Sequence, residues 1–553
     1  MKNIGSFIAV FLYSGLIFIP LFLALNRLIM VTGFYPSIWF NSLENNYISQ
    51  DILQFTLFQA IFSTIVTLMI GIPIAWMLGR YRWPLESLIR TVLTLPFVIP
   101  SIIAAMGILT IIGPHGINIR ADEDTWWWTL IIAHAWFNMA LVIRFCEPIL
   151  TTLDPSLEEQ LRLLPNGQTR ISRFRYLWAP LLVPSITAAA CMTFVFSFTS
   201  FALVRWITVG NESLESMMAT ISSSAGIEGY MEFTSEMVLG ASIIQFLILL
   251  ISLWITSIIQ RNRKSKIPQV NTKFVKTKNS MGWLIIVPAL IFALLPIISV
   301  FLGSFRIREP VENEIIFRWS FDAWVVAWRG SNSFPPLTDA LINSIGYAII
   351  TLCVSLPIGF SLASTISKLE ENHKFLSQVL DVFTMLPFAL SAAMVGLGVL
   401  LGIIKLDIGF LHNFWPLPAL AHIMLTVPFV VRIFLPAIRS LDPMYDENAK
   451  VLGLKPWKRF FSVKLPLLKS SLIISTIFTL AMSLGEFGAS FVVARNSDWV
   501  TLPLLIDSWR SKPMKDPFTG PASNVVATVL MLITIILFLF AERYRTNKEG
   551  GMF

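Results

Sequence analysis

The sequence predicts an all-α integral membrane protein with twelve transmembrane helices, arranged as two parallel six-helix repeats. Three observations carry this expectation. The 553-residue chain is 55% hydrophobic and only 13% charged, with a mean hydropathy of +0.71. A soluble domain has about 25% charged residues, so this chain could not cover its apolar surface in water. Its apolar runs repeatedly reach the roughly 20 residues that cross a hydrocarbon core. Finally, short motifs recur at a nearly constant separation across the two halves.

In chain order the spans are expected at 6–26, 53–79, 88–113, 126–150, 180–207, 237–259, 282–304, 338–365, 379–404, 415–438, 467–494 and 524–541. "MKNIGS" and the apolar run after it lack a convincing small-residue cleavage site and read as a retained first span. Lys and Arg gather in alternate loops: Arg80, Arg82 and Arg90; Arg162, Arg170, Arg173 and Arg175; the run from Arg261 to Lys278; Lys450 to Lys464; and Arg543 to Lys548. The opposite stretch, Thr208–Glu236, has no Lys or Arg and five Glu. The positive-inside rule then puts both termini in the cytoplasm. This distribution accounts for the net charge of +8 as a topology signal and excludes a nucleic-acid surface. Cys146, Cys191 and Cys353 lie inside apolar runs and read as packing residues, with no disulfide or metal framework.

The repeat is explicit in "IIAHAWFNMALVIRFCEPIL" (Ile131–Leu150) and "LAHIMLTVPFVVRIFLPAI" (Leu420–Ile438). His134 matches His422, Arg144 matches Arg432, and Asp154-Pro155 matches Asp442-Pro443, each pair 288 residues apart. Upstream, "TLPF" and "MLPF" are offset by 291, and downstream Pro180 and Pro466, like Phe201 and Phe487, are offset by 286. Six spans per copy make the copies parallel about an axis along the membrane normal. The expected division is a first half at 1–260, a basic linker at 261–281 and a second half at 282–553.

Between the tenth and eleventh spans lies a polar interlude, "ENAKVLGLKPWKRFFSVKLPLL" (Glu447–Leu468). Asp442 suits an N-cap and Pro443 the first helical turn. Asp446 and Glu447 complement the helix dipole. Gly453 supplies a left-handed stop, and Pro456 opens a second short helix bearing Trp457, Phe460 and Phe461. The first half repeats this logic with Asp154, Pro155, Glu158, Glu159 and Gly167. A helix lying on lipid headgroups would explain one such segment; two at matched positions favour a pair of docking knobs.

This interlude resembles the cytoplasmic EAA loop of ATP-binding-cassette importer permeases. In that pattern Glu-Ala-Ala is followed by three residues, Gly, about nine residues and Ile-x-Leu-Pro. Glu447, Ala449, Gly453, Leu465 and Pro466 fit it, with Asn448 in place of the first Ala. The resemblance implies that Asp442, Glu447, Ala449, Gly453 and Pro466, and in the first half Asp154, Glu159, Leu161, Gly167 and Pro180, form coupling helices that seat in an ATPase subunit. The first copy departs from the pattern: Leu161 holds the Glu position, Glu159 lies two residues early, and Pro165 falls inside the expected helix. The resemblance covers essentially the whole chain as two fused halves. It is narrower to fused thiamine-importer permeases, through "LPFVIPSIIAAMGILTIIGPHG", "AHAWFNMALVIR" and "SLGEFGASF", with iron(III)-importer permeases next. It implies a plasma-membrane location, an ATPase dimer, a separate extracytoplasmic solute-binding protein, and ATP used through the partner, with no cofactor on this chain.

A carboxylate near mid-membrane costs about 2.5–3.5 kcal/mol on insertion scales. Glu486 in the eleventh span is therefore either a pathway group or a hydrogen-bonded packing group; its repeat partner is Ser200. His134 and His422 suit inter-helix hydrogen bonding or the pathway. Arg144 and Arg432 are expected to snorkel. Pro96 and Pro387 are expected to kink spans three and nine. No phosphate-cradling loop, metal-ligand cluster or nucleophile with a base is present, so an enzyme is not expected. A secondary transporter shares the parallel repeat but has no need of the docking hairpin.

Overall fold

The computed structural model describes residues 8, 10–19, 22, 26, 29, 50–113, 123–152, 155–165, 168–208, 210–224, 240–252, 254–255, 280–311, 314–331, 334–385, 387, 392–406, 414–441, 444–494, 497–511 and 517–544. The linker at 261–279 and three expected site positions (Asp154, Gly167 and Asp442) lie outside them.

In the first half the helices are α1 (Val10–Ile19), α2 (Gln50–Arg80), α3 (Glu86–Val98), α4 (Ser101–Ile111), α5 (Glu123–Thr152), α6 (Pro155–Leu163), α7 (Ala179–Phe198), α8 (Ala202–Ile207), α9 (Leu214–Ser224) and α10 (Gly240–Ser252). The second half holds α11 (Trp283–Gly303), the strands β1 (Arg306–Val311) and β2 (Glu314–Trp319), α12 (Asp322–Arg329), α13 (Leu337–Asn372), α14 (Lys374–Thr384), α15 (Ala392–Leu406), α16 (Leu417–Ser440) and α17 (Met444–Val451). It closes with α18 (Pro456–Leu467), α19 (Lys469–Gly485), α20 (Gly488–Val493), α21 (Leu502–Arg510) and α22 (Thr519–Tyr544). Among the described residues, seven helices are long and apolar enough to cross a membrane, or nine when two bent pairs each count as one span.

Helix α2 shows how an apolar chain specifies helix contacts in lipid. Phe58, Ile61, Phe62, Ile65 and Met69 are exposed along its outer face. Gln59, Ser63 and Thr67 form a buried polar stripe at four-residue spacing. Gln59 Nε2 donates to the Ser197 carbonyl at 2.8 Å, and Ser63 Oγ meets His134 Nδ1 at 3.1 Å. Gly71 extends the stripe: a Cβ there would lie 2.6 Å from Val142 Cβ, so only hydrogen lets α2 and α5 approach this closely. The second half repeats the arrangement 288 residues on, with Gly359 against Val430 and Ser355 bonded to Thr426 at 2.8 Å.

The halves exchange their first helices. Tyr13 of α1 is buried in the second-half core beside Leu362 and Ile366, and its hydroxyl donates to the Thr384 carbonyl at 3.0 Å. Reciprocally, Ile286, Ala289 and Ala293 of α11 pack with Ile74, Leu78 and Leu93 of the first half. Trp136 Nε1 donates to the Ala293 carbonyl at 3.2 Å.

Three features depart from the expected elements. Span three is not one helix: α3 and α4 meet at 100°. The bend falls at Ile99-Pro100 rather than Pro96, which sits inside α3; Ile99 is driven extended because it precedes a proline. Spans five and eleven are each interrupted, after Phe198 and after Gly485. Last, an antiparallel hairpin pairs Arg306 with Trp319 through Val311 with Glu314. Its β-branched and aromatic residues occupy a stretch too short for a pattern scaled to 20-residue spans.

Candidate functional site

The two interruptions face each other across the molecule. Ser200 N donates to the Ser197 carbonyl and Glu486 N to the Ser483 carbonyl, each at 3.4 Å and 286 residues apart. The side chains at these matching turns differ. The Glu486 carboxylate receives the amides of Ala489 at 2.8 Å and Ser490 at 2.9 Å, fixing the start of α20. It also lies 3.4 Å from His422 Nε2. His422 is buried and bonded through Nδ1 to Ser483 Oγ (2.8 Å) and through Nε2 to Ser490 Oγ (2.9 Å).

Between the halves is a cavity of about 450 Å³ that Glu486, Ser200 and His134 all line. Eight phenylalanines contribute to its wall, four of them Phe97, Phe145, Phe429 and Phe478. A second carboxylate, Glu215 of α9, also lines it; Oε1 accepts from the Ala393 amide across the halves and Oε2 from Gln245. Phe201 and Phe487, repeat partners from the two halves, meet in its wall as a stack with centroids 5.0 Å apart and planes at 14°. Arg432 also lines the cavity and pairs with Asp381 at 3.5 Å.

The polar interludes form helical hairpins. In the second, α17 ends at Gly453, whose φ of +71° is the left-handed stop. Gly453 N donates to the Lys450 carbonyl at 2.9 Å and Leu454 N to the Ala449 carbonyl at 3.1 Å, satisfying the last carbonyls. Ala449 is buried; Glu447, Val451, Leu452 and Trp457 are exposed. Pro466 is exposed within α18, which turns by 78° into α19. In the first hairpin α6 ends at Leu163, two residues before Pro165. Leu161 is half-buried, while Glu159 and Pro180 are exposed.

An acid is at the centre of the ion pairs of each hairpin. Glu158 binds Arg80 at 2.6 Å, Arg162 at 3.3 Å and Arg173 at 3.6 Å. Asp446 binds Lys450 at 3.1 Å, Arg459 at 3.4 Å and Lys464 at 3.7 Å. Burial raises the Asp446 pKa, but the Lys450 hydrogen bond and the charges of Lys464, Lys450 and Arg459 bring it below the usual aspartate value.

Residues 71–265 and 355–545 each match the model of one family, the binding-protein-dependent transport system inner membrane component. The chain belongs to this family. It is thus a multi-pass inner-membrane transport permease, not an enzyme, and such permeases work with an ATPase and a binding protein. The permease is 23% identical to the thiamine transport system permease protein ThiP of Haemophilus influenzae over 514 residues, covering 90% of this chain and 89% of the relative. It is 23% identical to ThiP of Escherichia coli K12 over 547 residues, covering 92% and 93%. The sulfate transport system permease protein CysW of E. coli K12 matches at 32% over 228 residues, which is 39% of this permease and 75% of the relative.

Sequence reasoning singled out Glu447 and Glu159 in the permease hairpins, but the acids that hold the hairpins together are their neighbours Asp446 and Glu158. The signal was present: these two acids are 288 apart, as are Arg80 and Lys368, while Arg173 and Arg459 are 286 apart. Glu215 was also missed as a cavity residue, because its segment reads as an outward loop.

Proposed function

We propose that this permease is the fused membrane subunit of a thiamine importer, with twelve spans, halves at 1–260 and 282–553, and both termini in the cytoplasm. The observation that carries this reading is the pair of helical hairpins at matched positions of the repeat, in a molecule whose two halves together line a cavity. In this reading α6 and α17 are the coupling helices. They seat in an ATPase dimer, whose ATP binding and hydrolysis rock the halves, and the solute arrives from a separate binding protein. ATP is used only by the partner.

Thiamine is favoured because ThiP relatives align over nearly the full chain, and because of the cavity wall. Its aromatic faces and the carboxylates Glu215 and Glu486 suit a ring-bearing organic cation. A compact dianion such as sulfate would shed its hydration against phenylalanines and two acids, with Arg432 already paired. Iron(III), the second solute suggested by the sequence, draws no support from these relatives. The test is ATP-dependent uptake by proteoliposomes containing the permease, its ATPase and its binding protein. Labelled thiamine should accumulate and sulfate should not. Uptake without the ATPase, or preference for sulfate, would overturn the reading.

A further inference from the structure

Beyond the Phe201–Phe487 stack, the halves are joined by a charged pair. Arg205 of α8 donates from Nε to Asp507 Oδ1 at 2.9 Å and from Nη2 to Asp507 Oδ2 at 3.3 Å. Asp507, on α21 of the second half, is buried. The same guanidinium lies 4.5 Å over the Phe491 ring. Phe491 is 286 residues on from Arg205, so it is that residue's own repeat partner. Two equivalent positions therefore meet at the pseudo-twofold axis, one carrying a cation and the other a ring face. Identical residues there would give two arginines in repulsion, or two phenylalanines with no charge to anchor.

We propose that Arg205 and Asp507 are the lock that holds the cavity shut at the end away from the hairpins. The bidentate geometry fixes the guanidinium plane, and Phe491 supports it from below. The lock keeps α8 and α21 together, and with them the Phe201–Phe487 stack. Opening requires both charges to part and be rehydrated, so this side stays closed until the halves are driven apart. Removing either partner leaves the other charge buried and uncompensated, which favours the open arrangement. This inference rests on the permease reading but not on thiamine as the solute.

The test uses the full chain in sealed vesicles, with Cys146, Cys191 and Cys353 replaced by Ala and Ser200→Cys as a reporter inside the cavity. A membrane-impermeant maleimide is supplied from the side away from the hairpins. A Glu447→Cys reporter in a parallel sample marks the hairpin side, so the result does not depend on the assigned orientation. Arg205→Ala and Asp507→Asn should each label the reporter at least tenfold faster than the parent, and the reversed pair Arg205→Asp/Asp507→Arg should restore most of the shielding. Labelling of both single variants at the parental rate overturns the lock. A reversed pair as reactive as the singles also overturns it, because that pattern is general loosening.

Discussion

The Arg80 guanidinium lies 2.6 Å from the Glu158 carboxylate, and both positions recur 288 residues later as Lys368 and Asp446. Arg80 is the last residue of α2, and it also covers the Trp178 ring at 4.3 Å. Glu158 thus ties the first hairpin to α2, while Asp446 ties α17 to α18 within the second hairpin.

Asp446→Asn and Glu158→Gln should loosen the hairpins without removing any exposed docking group. Hydrogen bonds to charged partners are worth about 1.5–3 kcal/mol, and solvent screening places Asp446 at the lower end or beneath it. Amide exchange across 444–451 should quicken by about tenfold in Asp446→Asn, equivalent to about 1.4 kcal/mol. Unchanged exchange would mean the ion pairs do not set hairpin stability.

Glu447→Ala should act differently. Its side chain is exposed, so exchange within α17 should stay near the parental rate while co-purification of the ATPase and solute uptake fall several-fold. Glu159→Ala should cost less, because α6 ends at Leu163 and Leu161 occupies the Glu position. Equal losses for the two variants, at matched membrane expression, would refute the asymmetry.

The Asp446 latch should be insensitive to mild acid. Its pKa in the folded hairpin lies below the ordinary value of 3.8, so its contribution is fully present above that value. The contribution is lost as pH falls through the lower, folded value. Exchange protection of α17, corrected for intrinsic rates, should be flat from pH 7 to 5 and decline only below the ordinary value. The acid step should vanish in Asp446→Asn. A midpoint near pH 6 would assign the control to another group.

Gly485 is where the second half touches the bend of the first. A Cβ there would sit 2.6 Å from Pro100 Cγ, and a proline ring has little freedom to yield. Gly485→Val should destabilise the permease by about 1–3 kcal/mol through overpacking and displace Glu486 from the cavity wall. Thermal unfolding in detergent and uptake would both read the change. A variant with parental stability and uptake would show that α4 and α19 can separate freely.

Much of this architecture was legible because lipid makes the hydropathy of each span plain and because a repeat records itself twice. The positions of His134, His422 and the two hairpins follow from matched motifs alone. The breaks after Phe198 and Gly485 were not legible: each run is long and apolar enough overall to pass as one span, and the few polar or glycine residues at Thr199-Ser200 and Gly485-Glu486 do not by themselves stop a membrane helix. Glu486 shows the same limit. Its cost in lipid marks it as unusual, but the Ala489 and Ser490 amides are free to bond it only because α19 stops at Gly485 and α20 starts anew at Gly488. Asp446 and Glu158 read in the sequence as first-turn acids that complement a helix dipole; their ion-pair partners Arg80, Arg173, Arg459 and Lys464 are distant enough in sequence that only the folded hairpins bring them together.

The exchange of α1 and α11 separates the units of sequence from the units of motion. Residues 283–303 belong to the second half by descent, yet they are embedded against α3 and α4 of the first. Any swing of one half must carry along a strap contributed by the other. Motion of either half is therefore constrained by the packing of α1 and α11 against the opposite half. Severing the linker would leave two chains still clasped by their first helices, as two hands remain joined when the sleeves are cut.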